Sequence, residues 1–176
     1  VYGARAAKQT RAPLKHREGQ QWARQIINHL NIEVEIEGAM TQTPALIVAN
    51  HQSYLDILAI LHVVPCAFLC KEEVAHWPVL GKGIRSGGTL FVSRGSMQSR
   101  RDARRHIQRA LESGSHVAVF PEGTTSPAGV CGPFKTGAFG CAIAAKVPTV
   151  PIAISYEGTD RAWVGDDSFL EHFYRV

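Results

Sequence analysis

Short apolar runs, separated by stretches with helical spacing, set the pattern of this chain. Ala45 to Ala49, Ala67 to Cys70, Thr89 to Val92, His116 to Phe120 and Thr149 to Ile154 have the length and apolar character of buried strands. Ile32 to Glu37 alternates apolar and polar residues, as a half-buried strand does. Between the runs the spacing predicts helices from about Glu18 to Leu30, from Ser53 to about His62, and from Arg100 to Glu112. In the last of these Ala103, Ile107, Ala110 and Leu111 form one apolar stripe, Ser99 and Asp102 can cap the start, and Gly114 can end it. Thr136 to Lys146, with Ala138, Gly140, Ala142, Ala144 and Ala145, suits a helix packed closely on a sheet, whereas Gly81 to Gly88 reads as a mobile loop. Strands alternating with helices argue an α/β layered domain with a mostly parallel central sheet flanked by helices.

Two of the runs end in loops with chemistry in them. Ala45–Ala49 leads into Asn50-His51-Gln52-Ser53-Tyr54-Leu55-Asp56, and His116–Val119 leads into Phe120-Pro121-Glu122-Gly123-Thr124-Thr125-Ser126. Polar loops at the ends of buried strands place a site at one edge of the sheet. A histidine beside a carboxylate is equipped as a general base: the imidazole takes a proton, while the carboxylate fixes its tautomer and steadies the imidazolium. On one continuous helix residues five apart diverge by about 140°. Contact therefore requires His51 in the loop before the helix and Asp56 reaching back from its first turns. Ser53 and Asp56 also have the spacing of a capping box, so Asp56 has a purely structural reading as well.

Four stretches in order, NHQSYLD (50–56), GGTLFVSRG (87–95), FPEGTTS (120–126) and VPTVPIAI (147–154), resemble the four blocks of the glycerolipid acyltransferase family, over about residues 30 to 165. The resemblance implies transfer of a fatty acyl group from acyl-CoA or acyl-carrier protein to the free hydroxyl of a lysophospholipid, foremost 1-acyl-glycerol-3-phosphate. His51 would be the base and Asp56 its orienting partner. Because a thioester is already activated, no covalent intermediate or resident cofactor is needed, and no GxSxG elbow is present. Arg94 matches the residue that binds the acceptor phosphate in the family, and a guanidinium suits that role through bidentate hydrogen bonds. Ser93 stands where many relatives carry Asp. Glu122, Gly123 and Thr124 match the acceptor-binding block; Glu122 would accept from the glycerol hydroxyl or pair with Arg94. Lys71 and Lys135 are further candidates for the phosphate. Lyso-ornithine lipid, whose acceptor lacks phosphate, is the alternative substrate.

Composition narrows the picture further. A chain of 176 residues with 45% hydrophobic content is long enough for one domain with a real core. Residues 32–176 read as the acyltransferase domain, preceded by a basic amphipathic helical segment, 1–31. Within residues 1–25 six Lys or Arg stand against the single acid Glu18, and Trp22, Ile26, Ile27 and Leu30 share a helical face. That face fits either an anionic membrane surface or the domain's own core. The expected location is the cytoplasmic face of the membrane. The net charge of +4 alone would also suit a basic membrane-surface or nucleic-acid binding module, but no nucleic-acid motif accompanies it. Cys66, Cys70, Cys131 and Cys141 show no metal spacing and read as buried thiols of a reducing compartment. No segment reaches the roughly 20 apolar residues that span a bilayer. The start at Val1, without Met, and the unmarked end lead us to expect a fragment.

Overall fold

Five of the apolar runs pair into one parallel sheet. A computed structural model describes residues 13–76, 80–92, 96–127 and 129–157. Strands β1 (Leu46–Ala49), β2 (Cys66–Lys71), β3 (Leu90–Val92), β4 (His116–Val119) and β5 (Thr149–Ile152) lie in the order β3-β2-β4-β1-β5, every neighbouring pair parallel. The connections carry helices α2 (Leu55–Val63), α3 (Leu80–Ser86), α4 (Met97–Glu112) and α5 (Gly137–Ala145), with α1 (Leu14–His29) ahead of β1. This is the α/β layered architecture expected.

Period-two alternation along the strands feeds a separate core on each face. Ile47, Ala49, Cys66, Phe68, Cys70 and Ala118 point to α1, α2 and α3, whereas Leu46, Val48, Ala67, Val117 and Val119 point to α4 and α5. The helix after β1 therefore lies on one face and the helix after the adjacent β4 on the other. Their connections diverge from neighbouring strands, which opens a crevice beyond the carboxyl ends of β1 and β4.

Four expectations need correction. The segment 32–37 forms no strand. Ile32 and Val34 pack partly on the core, so the alternation reports half-burial of an extended segment without a ladder partner. The segment 81–88 is mostly helix α3, and its glycines serve close packing: a Cβ on Gly83 would come 2.0 Å from the Trp22 ring, and one on Gly19 of α1 would come 2.8 Å from Gly87. Helix α4 begins at Met97, because Ser96 is the N-cap and makes a capping box with Ser99. Cys131, unlike the other three thiols, is exposed.

Helix α1 turns its apolar face inward. His16, Gly19, Ala23 and Ile27 are buried at helical spacing, and Gln20 and Arg24 donate to the carbonyls of His62 and Val63 at the end of α2. Burial and the nearby Lys15 and His116 push the His16 imidazole down to about 4. The folded state then binds fewer protons than the unfolded chain between pH 4 and 6.5. Stability should accordingly fall as pH drops through that window, by up to about 3 kcal/mol. Urea unfolding at neutral pH and again near the acid end of the window measures the difference. None of the described helices is long and apolar enough to cross a membrane.

Candidate active site

The loop after β1 and the loop after β4 meet in the crevice. His51 sits before α2, and its Nδ1 lies 2.8 Å from Oδ2 of Asp56, in the first turn of that helix. Asp56 is fully buried, while the His51 side chain keeps 18% of its surface exposed. The same Oδ2 accepts the backbone N–H groups of Gln52 (2.7 Å) and Ser53 (2.9 Å), and Oδ1 accepts the hydroxyl of Tyr156. Half of a capping box thus forms, since Asp56 reaches back to Ser53 N while Ser53 Oγ accepts from Leu55 N at 3.3 Å. One carboxylate makes both the capping contact and the contact to His51.

With Nδ1 engaged by a carboxylate, the His51 proton resides there and the Nε2 lone pair is left for a ligand. The ring stacks on Phe120 at 3.9 Å between centroids and 9° between planes, which fixes its orientation from the β4 side.

Glu122 holds the loop rather than the open crevice. Its Oε1 accepts His51 N (2.9 Å), and its Oε2 accepts Gly132 N (2.7 Å) and the Ser126 hydroxyl. Ser126 N in turn donates to the His51 carbonyl at 2.7 Å, so both backbone polar groups of His51 are tied to the β4 loop. Burial pushes the Glu122 carboxyl up, but the donations from Ser126, Gly132 and His51 outweigh it and hold the group below the usual carboxylate range. A third segment joins through Asn50, whose amide donates to Ile154 O (2.9 Å) and accepts from Ile154 N (2.7 Å), extending the β1–β5 ladder by a side chain. That link carries the chain on to Tyr156, whose phenol burial and the Asp56 carboxylate keep protonated by raising its pKa.

Gly123 adopts φ +77°, and a Cβ there would come 2.4 Å from Lys135 Nζ, so the ammonium lies across this glycine. Thr124 is exposed beside it. Lys71 ends β2, exposed at the same carboxyl edge, paired in register with Val92. Ser93 and Arg94 follow Val92 directly and lie outside the described residues. Asn50, Phe120, Ser126, Gly132 and Tyr156 are the supporting residues that spacing did not mark out. Only Asn50, Phe120 and Ser126 fall inside the polar stretches.

A family model described as Acyltransferase matches residues 31–155. The lyso-ornithine lipid O-acyltransferase of Pseudomonas aeruginosa is 36% identical over 169 residues, 93% of this chain and 65% of that protein. The 1-acyl-sn-glycerol-3-phosphate acyltransferase of Neisseria meningitidis is 36% identical over 135 residues, covering 76% of this chain and 53% of its own length. Among solved structures, the 1-acyl-sn-glycerophosphate (LPA) acyltransferase PlsC from Thermotoga maritima matches with a TM-score of 0.63 and 32% identity, over 77% of this chain and 56% of that one. The chain thus spans between half and two thirds of the length of these relatives.

Proposed function

We propose, from the premise that this chain belongs to the acyltransferase family, that it moves a fatty acyl group from a thioester donor to the free hydroxyl of a lyso-lipid. The observation that carries the reading is the 2.8 Å contact between His51 Nδ1 and the buried Asp56, at the crevice where β1 and β4 end. His51 Nε2 takes the proton of the acceptor hydroxyl as that oxygen attacks the thioester carbon. Asp56 then stabilises the imidazolium, and the thiolate leaves with a proton. The donor is acyl-CoA or acyl-carrier protein, and no resident cofactor enters.

The lead acceptor is 1-acyl-glycerol-3-phosphate. Exposed Lys71 and Lys135 at the carboxyl edge, together with Arg94, supply cations suited to its phosphate. Lyso-ornithine lipid is the second reading, favoured by the relative of that name that aligns with 93% of the chain. We place the reaction at the cytoplasmic face of a membrane, where such acceptors reside.

Thiol release from palmitoyl-CoA, and from palmitoyl-carrier protein, with lysophosphatidic acid, lyso-ornithine lipid or no acceptor tests the assignment. Release that requires one acceptor supports the reading and names the substrate. Acceptor-independent release from either donor would make the protein a thioesterase instead. If Arg94 holds phosphate, Arg94→Ala raises the KM for lysophosphatidic acid at least about tenfold and leaves the donor KM unchanged.

Glu122 has a distinct expectation. In Glu122→Gln the amide group must face an N–H, that of His51 or that of Gly132, whichever way it turns. The His51 loop should then shift and kcat fall roughly 10- to 100-fold, because small misplacements of a base are costly. The acceptor KM should barely move. A rise in that KM with kcat preserved would return Glu122 to direct acceptor binding.

A further inference from the structure

At the opposite edge of the sheet, where β2, β3 and β4 begin, a cavity of about 360 Å³ lies between the start of α1 and the end of α4. Its polar lining comes from Lys15, His16, His106, Arg109, Ser113 and Ser115, with no carboxylate among the described residues. His106 and Arg109 share one face of α4, and Ser113, its C-cap, follows at the same spacing. His16 is 2% exposed, yet neither ring nitrogen has a hydrogen-bond partner among the described residues. A buried imidazole left with both nitrogens unpaired is costly, and it is rare without a ligand or water to satisfy it.

The first turn of α1 adds an independent reason. No side chain caps this helix and no acid stands in its first turn; Lys15, His16 and Arg17 stand there instead. Cations at the positive end of a helix dipole are unfavourable, and the first N–H groups of any helix have no carbonyl within the helix to donate to. An anion at this point relieves both. The carboxyl end of α4 does not compete, because Ser113, Gly114 and Ser115 donate to the carbonyls of Arg109, Leu111 and Ala110.

We infer that this cavity is a second ligand site, one that takes a phosphate group between the first turn of α1 and the Arg109 face of α4. Several oxygens are needed to reach a helix start, an imidazole, a hydroxyl and a guanidinium fork together, which suits phosphate better than a carboxylate. The remaining wall, with Ala67 and Leu90, leaves room for an organic ester. The phosphate comes either from a soluble ester or from a phospholipid headgroup. In its absence the imidazole is neutral; the anion favours the protonated form, so both ring nitrogens become donors.

The test follows the ring resonances of His16 in protein carrying labelled histidine, assigned by their loss in His16→Gln. Inorganic phosphate is titrated against chloride at matched ionic strength. Phosphate in the crevice would move His51 but not His16, so the two sites report separately. The expected result is a saturating shift of His16 with phosphate only. Its midpoint should rise roughly tenfold in Lys15→Gln/Arg109→Gln, whose two exposed side chains are dispensable for folding. Flotation with phosphatidylcholine vesicles, containing or lacking phosphatidic acid, separates the sources. Retention that needs phosphatidic acid and weakens in the double variant identifies the headgroup. A phosphate response without such retention identifies a soluble ester. A His16 signal that ignores phosphate, or that responds equally in the double variant, overturns the proposal.

Discussion

Replacing His51 by alanine is expected to lower kcat by roughly 10²- to 10⁴-fold, the usual contribution of a positioned general base. The fold should survive the change. The backbone of His51 is held through its N–H by Glu122 and through its carbonyl by Ser126, neither of which depends on the ring. Asp56 keeps three donors, Gln52 N, Ser53 N and the Tyr156 hydroxyl, so its buried charge stays satisfied. The lost stacking on Phe120 concerns a partly exposed ring and should cost about 1 kcal/mol. Steady-state turnover together with a thermal unfolding curve checks both halves. Turnover near that of the unaltered protein would remove His51 from the mechanism, and collapse of the unfolding transition would make it structural.

Asp56→Asn is the second large effect, and it separates charge from shape. Three N–H donors converge on Oδ2, whereas among the described residues Oδ1 meets only the Tyr156 hydroxyl. The amide can keep its oxygen on the three donors and turn its NH₂ to Tyr156, whose hydroxyl can rotate to accept. The loop and the His51 tautomer therefore persist, and the negative charge does not. A pair of unit charges about 4 Å apart attracts by about 4 kcal/mol at an effective dielectric of 20, and an amide dipole recovers only part of it. At about 1.4 kcal/mol per decade, kcat should fall about 100-fold, with substrate KM values little changed. Asp56→Ala should do worse, since it strands buried N–H groups at about 1–3 kcal/mol each and threatens the fold itself. If Asp56→Asn turns over normally, the carboxylate serves only as a cap.

What was legible in the sequence was local. His51 and Asp56 are five residues apart, so the helix start alone decides whether they touch, and the Ser53 signal put that start just ahead of the N-cap the fold uses, Tyr54. The sheet was legible because apolar runs of strand length alternate with helical spacing. The partners of Glu122 were not, since it stands 71 positions after His51 and the stretch between carries no mutual pattern; the link depends on β1 and β4 becoming neighbours. Tyr156, 100 residues from Asp56, depends likewise on β5 pairing with β1. The two misread segments share a cause. Alternation in 32–37 and glycine content in 81–88 report burial and backbone freedom, and neither states what the backbone packs against.

Asn50, just past β1, is tied to Ile154, just past β5 and 104 positions later, and this has a consequence for the chain while it is being made. On the ribosome the His51–Asp56 pair emerges before the residues that hold it, with its local hydrogen bonds available at once. The rests that hold it, first Glu122 and then Ile154 and Tyr156, are synthesised much later, and loop closure over such separations comes late in folding. A nascent chain therefore carries the His51 imidazole unbraced until Glu122, Ile154 and Tyr156 have followed it, and the whole set of contacts exists only once β5 docks.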